Sequence, residues 1–296
     1  MAALEVAHPT DAPAMRKPIA SPGISRDRVH LLVLYVFLAV MVVFFVAPLV
    51  WLAILSLRPQ GQVLTNTLLP SSFDWGNYPR VFQKVKLAEY LKNSLILAAG
   101  TIAVTLPLGS LAAYGFARWV FRGKELLLFL FIFALTVPGL VNLIAVYRLF
   151  SNVGLLNTYY GLILVYSAGA IPVTTWLMRA YLQTVPVELE EAAMIDGCTR
   201  VGALVRVTLP VSAPGLAAAA LLVFVNVWHE FIVAQTLISR DALKVVSQGL
   251  FAMREQFSTD YTGLAAVAIV ISVPVVALFI LLQERFVAGL TAGAVK

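Results

Sequence analysis

Residues 184–210 read TVPVELEEAAMIDGCTRVGALVRVTLP, a polar stretch between two long apolar blocks. Pro186 suits the first turn of a helix, where its missing N–H costs nothing. Glu188, Glu190 and Glu191 follow near the positive end of that helix, where acidic groups are favoured. Ala192, Ala193, Met194 and Ile195 continue it, and Gly197 is a natural stop or swivel. A second short helix is expected over 201–207, with Pro210 starting the return to apolar sequence. The product is a compact helix–Gly–helix elbow. Its acidic start and its two small alanines let another protein approach closely.

The flanks of the elbow set the class. The chain has 296 residues, 60% of them hydrophobic and only 12% charged, whereas a soluble domain carries roughly 25% charged residues. The apolar residues come in long blocks, at about 31–57, 94–116, 126–149, 161–182, 213–238 and 264–282. Each is close to or above the ~20 residues that cross ~30 Å of hydrocarbon as a helix. The expectation is an all-α polytopic membrane protein with six transmembrane helices. The first block is too long for a signal-peptide core and has no small-residue cleavage site after it, so it is counted as a helix.

Charge orients the chain. The net charge is +6, but the basic residues are scattered among loops, which argues against a nucleic-acid partner. Arg118, Arg122 and Lys124 crowd one short turn, and the positive-inside rule places that turn, the elbow and both termini in the cytoplasm. The organisation read from this is a disordered N-terminal tail over 1–28, a membrane domain over 29–286 containing the cytoplasmic loop 183–212, and a C-terminal tail over 287–296. The single cysteine, Cys198, excludes an internal disulfide. The histidines, His8, His30 and His229, are far apart, so neither a metal site nor a catalytic constellation is expected.

The elbow resembles the EAA loop of ABC importer permeases, which have the MetI-like fold. The family pattern is Glu-Ala-Ala, three residues, Gly, nine residues, an aliphatic residue, one residue, Leu-Pro. Here Glu191, Ala192, Ala193, Gly197, Val207, Leu209 and Pro210 keep every spacing. The resemblance implies a coupling helix seated on a nucleotide-binding subunit, with Glu191 as a polar contact, Asp196 beside it and Gly197 as the bend. No Gly-x-x-x-x-Gly-Lys-Ser/Thr loop occurs; Gly123-Lys124 is followed by Glu125. This chain is therefore expected to bind no cofactor, with ATP and magnesium held by partner subunits.

Further stretches resemble the carbohydrate permeases of the maltose-transporter class: 136–142 (TVPGLVN), 151–159 (SNVGLLNTY), 226–231 (NVWHEF) and the tail 285–296. That likeness implies a homologous second permease, two ABC ATPase subunits, an extracytoplasmic sugar-binding protein and a bacterial cell-membrane location. His229 departs from the class, where asparagine is commoner. The tail, with Gly289, Thr291 and Gly293, is implied to reach between the ATPase subunits.

For substrate, Glu230 stands out as an acid inside an apolar block, where burial costs several kcal/mol unless it faces a cavity or partner. Asn226, His229 and Glu230 are expected to share one helix face with Trp228 to the side, an arrangement suited to a sugar. Asn142 and Tyr147 are weaker candidates. Bonding of His229 and Glu230 to neighbouring helices is the competing expectation. A permease for glycerol phosphate or another non-sugar solute also fits the elbow. A secondary transporter fits less well, because no internal repeat of spans is found.

Overall fold

Helix α1 (Arg26–Ser56) is followed by the short α2 (Asn77–Lys84), the long α3 (Leu87–Arg118), the pair α4 (Lys124–Thr136) and α5 (Gly139–Asn152), and α6 (Tyr159–Thr184). The elbow contributes α7 (Val187–Ile195), α8 (Arg200–Ala203), a π-helical turn over Leu204–Thr208, and α9 (Leu209–Val211). Then come α10 (Ala213–His229), α11 (Ile232–Leu237), α12 (Val246–Phe251) and α13 (Tyr261–Ala294). This is a computed structural model that describes residues 26–62, 67, 69–136, 139–251, 253 and 259–294, with backbone alone at 26–27, 135, 140 and 284–294. Two compact units meet within α1, one ending at Val50 and the other beginning at Trp51. The second unit holds every helix from α2 onward, and with them the elbow.

Among the described residues the regular elements are helices. Four are long and apolar enough to cross a membrane, within α1, α3, α6 and α13. A fifth crossing counts if Arg200–Val211 and Ala213–His229, bent by 82°, are taken as one. Two expected spans differ from single straight helices. The block 126–149 is divided between α4 and α5, on either side of 137–138, which lie outside the described residues. The block 213–238 is one helix only as far as His229, because Glu230 is extended, with φ −66° and ψ 127°. The N-terminal tail lies outside the described residues up to residue 25. Helix α13 runs on to Ala294, into the expected C-terminal tail.

The centre of the bundle is the parallel pair α3 and α6, which meet start to start at Asn93 and Tyr159 and end to end at Arg118 and Val185. Small and hydroxyl side chains are buried along both helices: Ala98, Thr101, Thr105, Gly109 and Ala113 on α3, with Ser167, Thr174 and Thr175 on α6. Small residues let helix backbones approach closely where lipid supplies no hydrophobic drive. The fit has no slack at Gly109, where an added Cβ would sit 2.6 Å from Thr174 Cγ2. Gly100 is equally tight, 2.6 Å from Ile163 Cδ1. A larger apolar cluster around Leu97, Leu162, Phe224 and Trp228 joins α10 and α13 to this pair.

At the Leu87 end of α3, side chains lace the connecting loops. Asn93 donates from Nδ2 to the carbonyls of Ala242 and Lys244 at 3.0 and 2.8 Å and accepts from Tyr159 Oη at 2.7 Å. Asp260 caps α13 by accepting from Gly263 N at 2.8 Å, and Arg80 of α2 reaches the same oxygen at 3.3 Å. Asp241 faces Lys86 at 3.4 Å and Lys244 at 3.0 Å. Hydrogen bonds from Lys244 and then from Tyr90 hold the Asp241 carboxyl below the usual carboxylate range.

Candidate functional site

The elbow is built by local rules. Pro186 is the residue before α7, extended at φ −56° and ψ 135°, and Glu188 and Glu190 occupy the first turn. The helix ends in a Schellman arrangement: Gly197 N donates to Met194 O at 3.1 Å and Cys198 N to Ala193 O at 3.0 Å. Gly197 takes φ +91°, a conformation that disfavours any side chain. Thr199 then caps α8, its hydroxyl accepting from Gly202 N at 3.0 Å. Helix continues through the π turn to Val211, so Leu209 and Pro210 lie inside it. The sharp turn comes at Ser212, two residues later than expected from Pro210.

Burial divides the elbow in two. Glu191, Ala192 and Asp196 are exposed, and Ile195 is 87% exposed. Ala193 is buried. The adjacent Glu190 is turned inward and is 3% exposed. Its Oε1 accepts from Arg118 Nε at 2.9 Å and lies 2.8 Å from Nη2, and its Oε2 accepts from Tyr114 Oη at 2.9 Å. Arg118 Nη2 also donates to Val185 O, 2.8 Å away, where α6 ends. This cluster was not anticipated from the sequence. Its members are 72 and 76 residues apart in the chain, and no local spacing couples them.

The second feature is a cavity of about 430 Å³ among α5, α6 and α10, with Asn142, Tyr166, Thr174, Asn226 and Glu230 as its polar lining. Of the residues expected along the substrate path, it unites Asn142, Asn226 and Glu230. Trp228 is elsewhere: it is 1% exposed, donates from Nε1 to Ile271 O at 3.1 Å and stacks on Phe224. His229 is exposed and is not a lining residue. Tyr147 faces a separate opening with Leu143 and Thr236.

Asn226 and Glu230 face one cavity without His229, and Glu230 lies just beyond the end of α10. Glu230 leaves α10 and serves as a cap for α11, accepting from Val233 N at 2.8 Å and Ala234 N at 3.0 Å. Carboxylates are favoured at helix N-termini, where amides lack partners. Tyr166 Oη donates to the same carboxylate at 2.9 Å, and Ser247 Oγ donates to Glu230 O at 2.6 Å. The bonding of Glu230 is thus filled from α6 and from its own backbone. Among the described residues no group of three or more His, Cys, Asp or Glu is placed to hold a metal ion.

Residues 105–291 match the family described as binding-protein-dependent transport system inner membrane component. The chain is 36% identical over 251 residues to the sulfoquinovosyl glycerol transport system permease protein of Agrobacterium fabrum, covering 84% of this chain and 88% of that one. It is 33% identical over 275 residues to the galactooligosaccharides transport system permease protein of Bacillus subtilis, covering 92% and 97%. Its fold is similar to a chain in the crystal structure of a bacterial ABC transporter involved in the import of the acidic polysaccharide alginate, with TM-score 0.76, 22% identity and coverage of 90% and 100%. With nearly two thirds of its length inside the family match and its relatives aligned almost end to end, this chain belongs to the family of inner membrane components of binding-protein-dependent transport systems.

Proposed function

We propose that this chain is a permease subunit of an ATP-driven importer that carries a di- or oligosaccharide into a bacterial cell. Six spans, with both termini and the elbow in the cytoplasm, complete the reading; the divided block 126–149 and the bent α10–α11 unit then each count as one crossing. Its partners are a second, homologous permease, two ABC ATPase subunits that hold ATP and magnesium, and an extracytoplasmic sugar-binding protein. The observation that carries the proposal is the exposed face of α7, with Glu191, Ala192, Asp196 and Ile195 turned outward. Gly197, Leu209 and Pro210 shape the rest of the seat, and Gly289, Thr291 and Gly293 at the end of α13 add a second contact to the ATPase subunits.

Chemistry of the cavity supports a glycan. Asn142 and Asn226 offer both donors and acceptors for hydroxyls, and among the described lining residues none is cationic. The named relatives transport sulfoquinovosyl glycerol and galactooligosaccharides, which supports a glycan as cargo.

The test is reconstitution of the complex in proteoliposomes with a labelled disaccharide outside and ATP inside. Uptake that needs ATP and every subunit is expected. ATP hydrolysis by the purified chain alone at the rate of the whole complex would overturn the proposal.

A further inference from the structure

Resting on the reading that α7 docks on an ATPase subunit, we infer that Glu190 and Arg118 are positioning residues that pass the displacement of α7 to the wall of the cavity. Glu191 and Glu190 are adjacent but divide the work. The first is exposed, toward a partner, and the second is buried against the bundle.

The geometry makes one node of three helix ends. Arg118 is the last residue of α3, Val185 closes α6, and Glu190 lies in the first turn of α7. One guanidinium binds the carboxylate of Glu190 and the carbonyl of Val185 together. Side-chain exposure is 10% for Arg118 and 4% for Glu190. Separating such a pair strands an uncompensated charge away from water. The node therefore moves as a unit, and a pull on α7 reaches α3 and α6 at once.

Beyond the node the motion travels along two packed helices, α3 and α6. The α3–α6 contact is interlocked at Gly109 against Thr174 and at Gly100 against Ile163, and close-packed interfaces shift between discrete arrangements rather than deform. Thr174 lines the cavity, and so does Tyr166, about 28 Å from Val185 at 1.5 Å per helical residue. Tyr166 then holds Glu230 at 2.9 Å, the residue that caps α11. The path from the elbow to the cavity wall is continuous through hydrogen bonds, one ion pair and one helix.

The experiment measures sugar taken up per ATP hydrolysed by the complete reconstituted complex, with recovery of the ATPase subunits measured in parallel. Glu190→Gln and Arg118→Met are each expected to lower uptake per ATP by at least about threefold, and Glu190→Arg combined with Arg118→Glu to restore most of it. A purely structural pair would reduce the amount of complex while leaving uptake per ATP at the wild-type value, and that result overturns the inference. If the charge variants do not accumulate, Tyr114→Phe decides: a fall supports the inference and an unchanged ratio overturns it. Failure of the wild-type chain to recover ATPase subunits would instead sink the docking reading, a distinct outcome.

Discussion

Glu190 and Glu230 both turn into the protein, yet their carboxylates are held in opposite ways. Glu190 meets a guanidinium 72 residues away and so ties three helices together. Glu230 meets amides three and four residues further along its own chain, with one hydroxyl from α6, and so mainly repairs a broken helix. Arg118 is the only cation at the first site's carboxylate, and none reaches the second among the described residues. The partners of a buried acid, more than its burial, decide whether it links elements or holds its own backbone. The elbow is accordingly a joint between helices, and the cavity rim a bend held mostly by its own backbone.

The comparison breaks most readily at Arg118. Arg118→Met leaves the carboxylate of Glu190 buried without its ion-pair partner, a loss of roughly 3–5 kcal/mol. Thermal unfolding of the purified complex should show a clear drop, and Glu190→Gln in the same background should recover part of it. Gly197→Val comes next. Forcing a β-branched residue into φ +91° costs about 1–2 kcal/mol. Its larger signature is functional: uptake should collapse while membrane insertion, followed by fractionation, persists.

Glu230→Gln keeps an acceptor for one amide but loses the charge, at a cost of about 1 kcal/mol. Hydrogen exchange at Val233 and Ala234 should speed up while exchange in α7 does not change. Equal acceleration at both places would show that the two sites are not separate devices. The smallest effect is at Asp241, which is half exposed, so water screens its pairs with Lys86 and Lys244 to about 0.5 kcal/mol in total. Its carboxyl is lowered by those partners. Its contribution is therefore present above the ordinary carboxylate range and is lost as pH falls through its own lower value. Wild type and Asp241→Asn should differ slightly at neutral pH and converge under strong acid.

Much of the elbow was readable in the chain because its rules are local. A proline before an acidic turn, a glycine five residues after Ala192 and a threonine cap each act within one or two turns of helix. The membrane class followed from the length of the apolar blocks for the same reason. What the residues concealed depends on distant partners. Trp228 looked like a sugar platform beside Asn226, but a carbonyl of α13 claims its indole N–H. The helix that should have carried Asn226, His229 and Glu230 on one face stops at His229, and the Glu230 carboxylate bonds to the amides of α11. Glu190 appeared as one of three similar acids, since neither Arg118 nor Tyr114 lies within reach along the sequence. The family resemblance pointed to Glu191, and the inward role of its neighbour emerged only from packing.

The most direct test of the central claim, that the elbow is where this subunit receives its energy, is a cross-link at its most exposed apolar residue. Ile195→Cys, made with Cys198→Ser so that one thiol remains in the chain, is assembled with the ATPase subunits and treated with a short thiol-reactive linker. The account predicts a covalent adduct with an ATPase subunit and a loss of sugar uptake that reduction of the linker reverses. A fully assembled complex in which Ile195→Cys stays reactive to bulky reagents, forms no adduct and supports normal uptake after modification would contradict it.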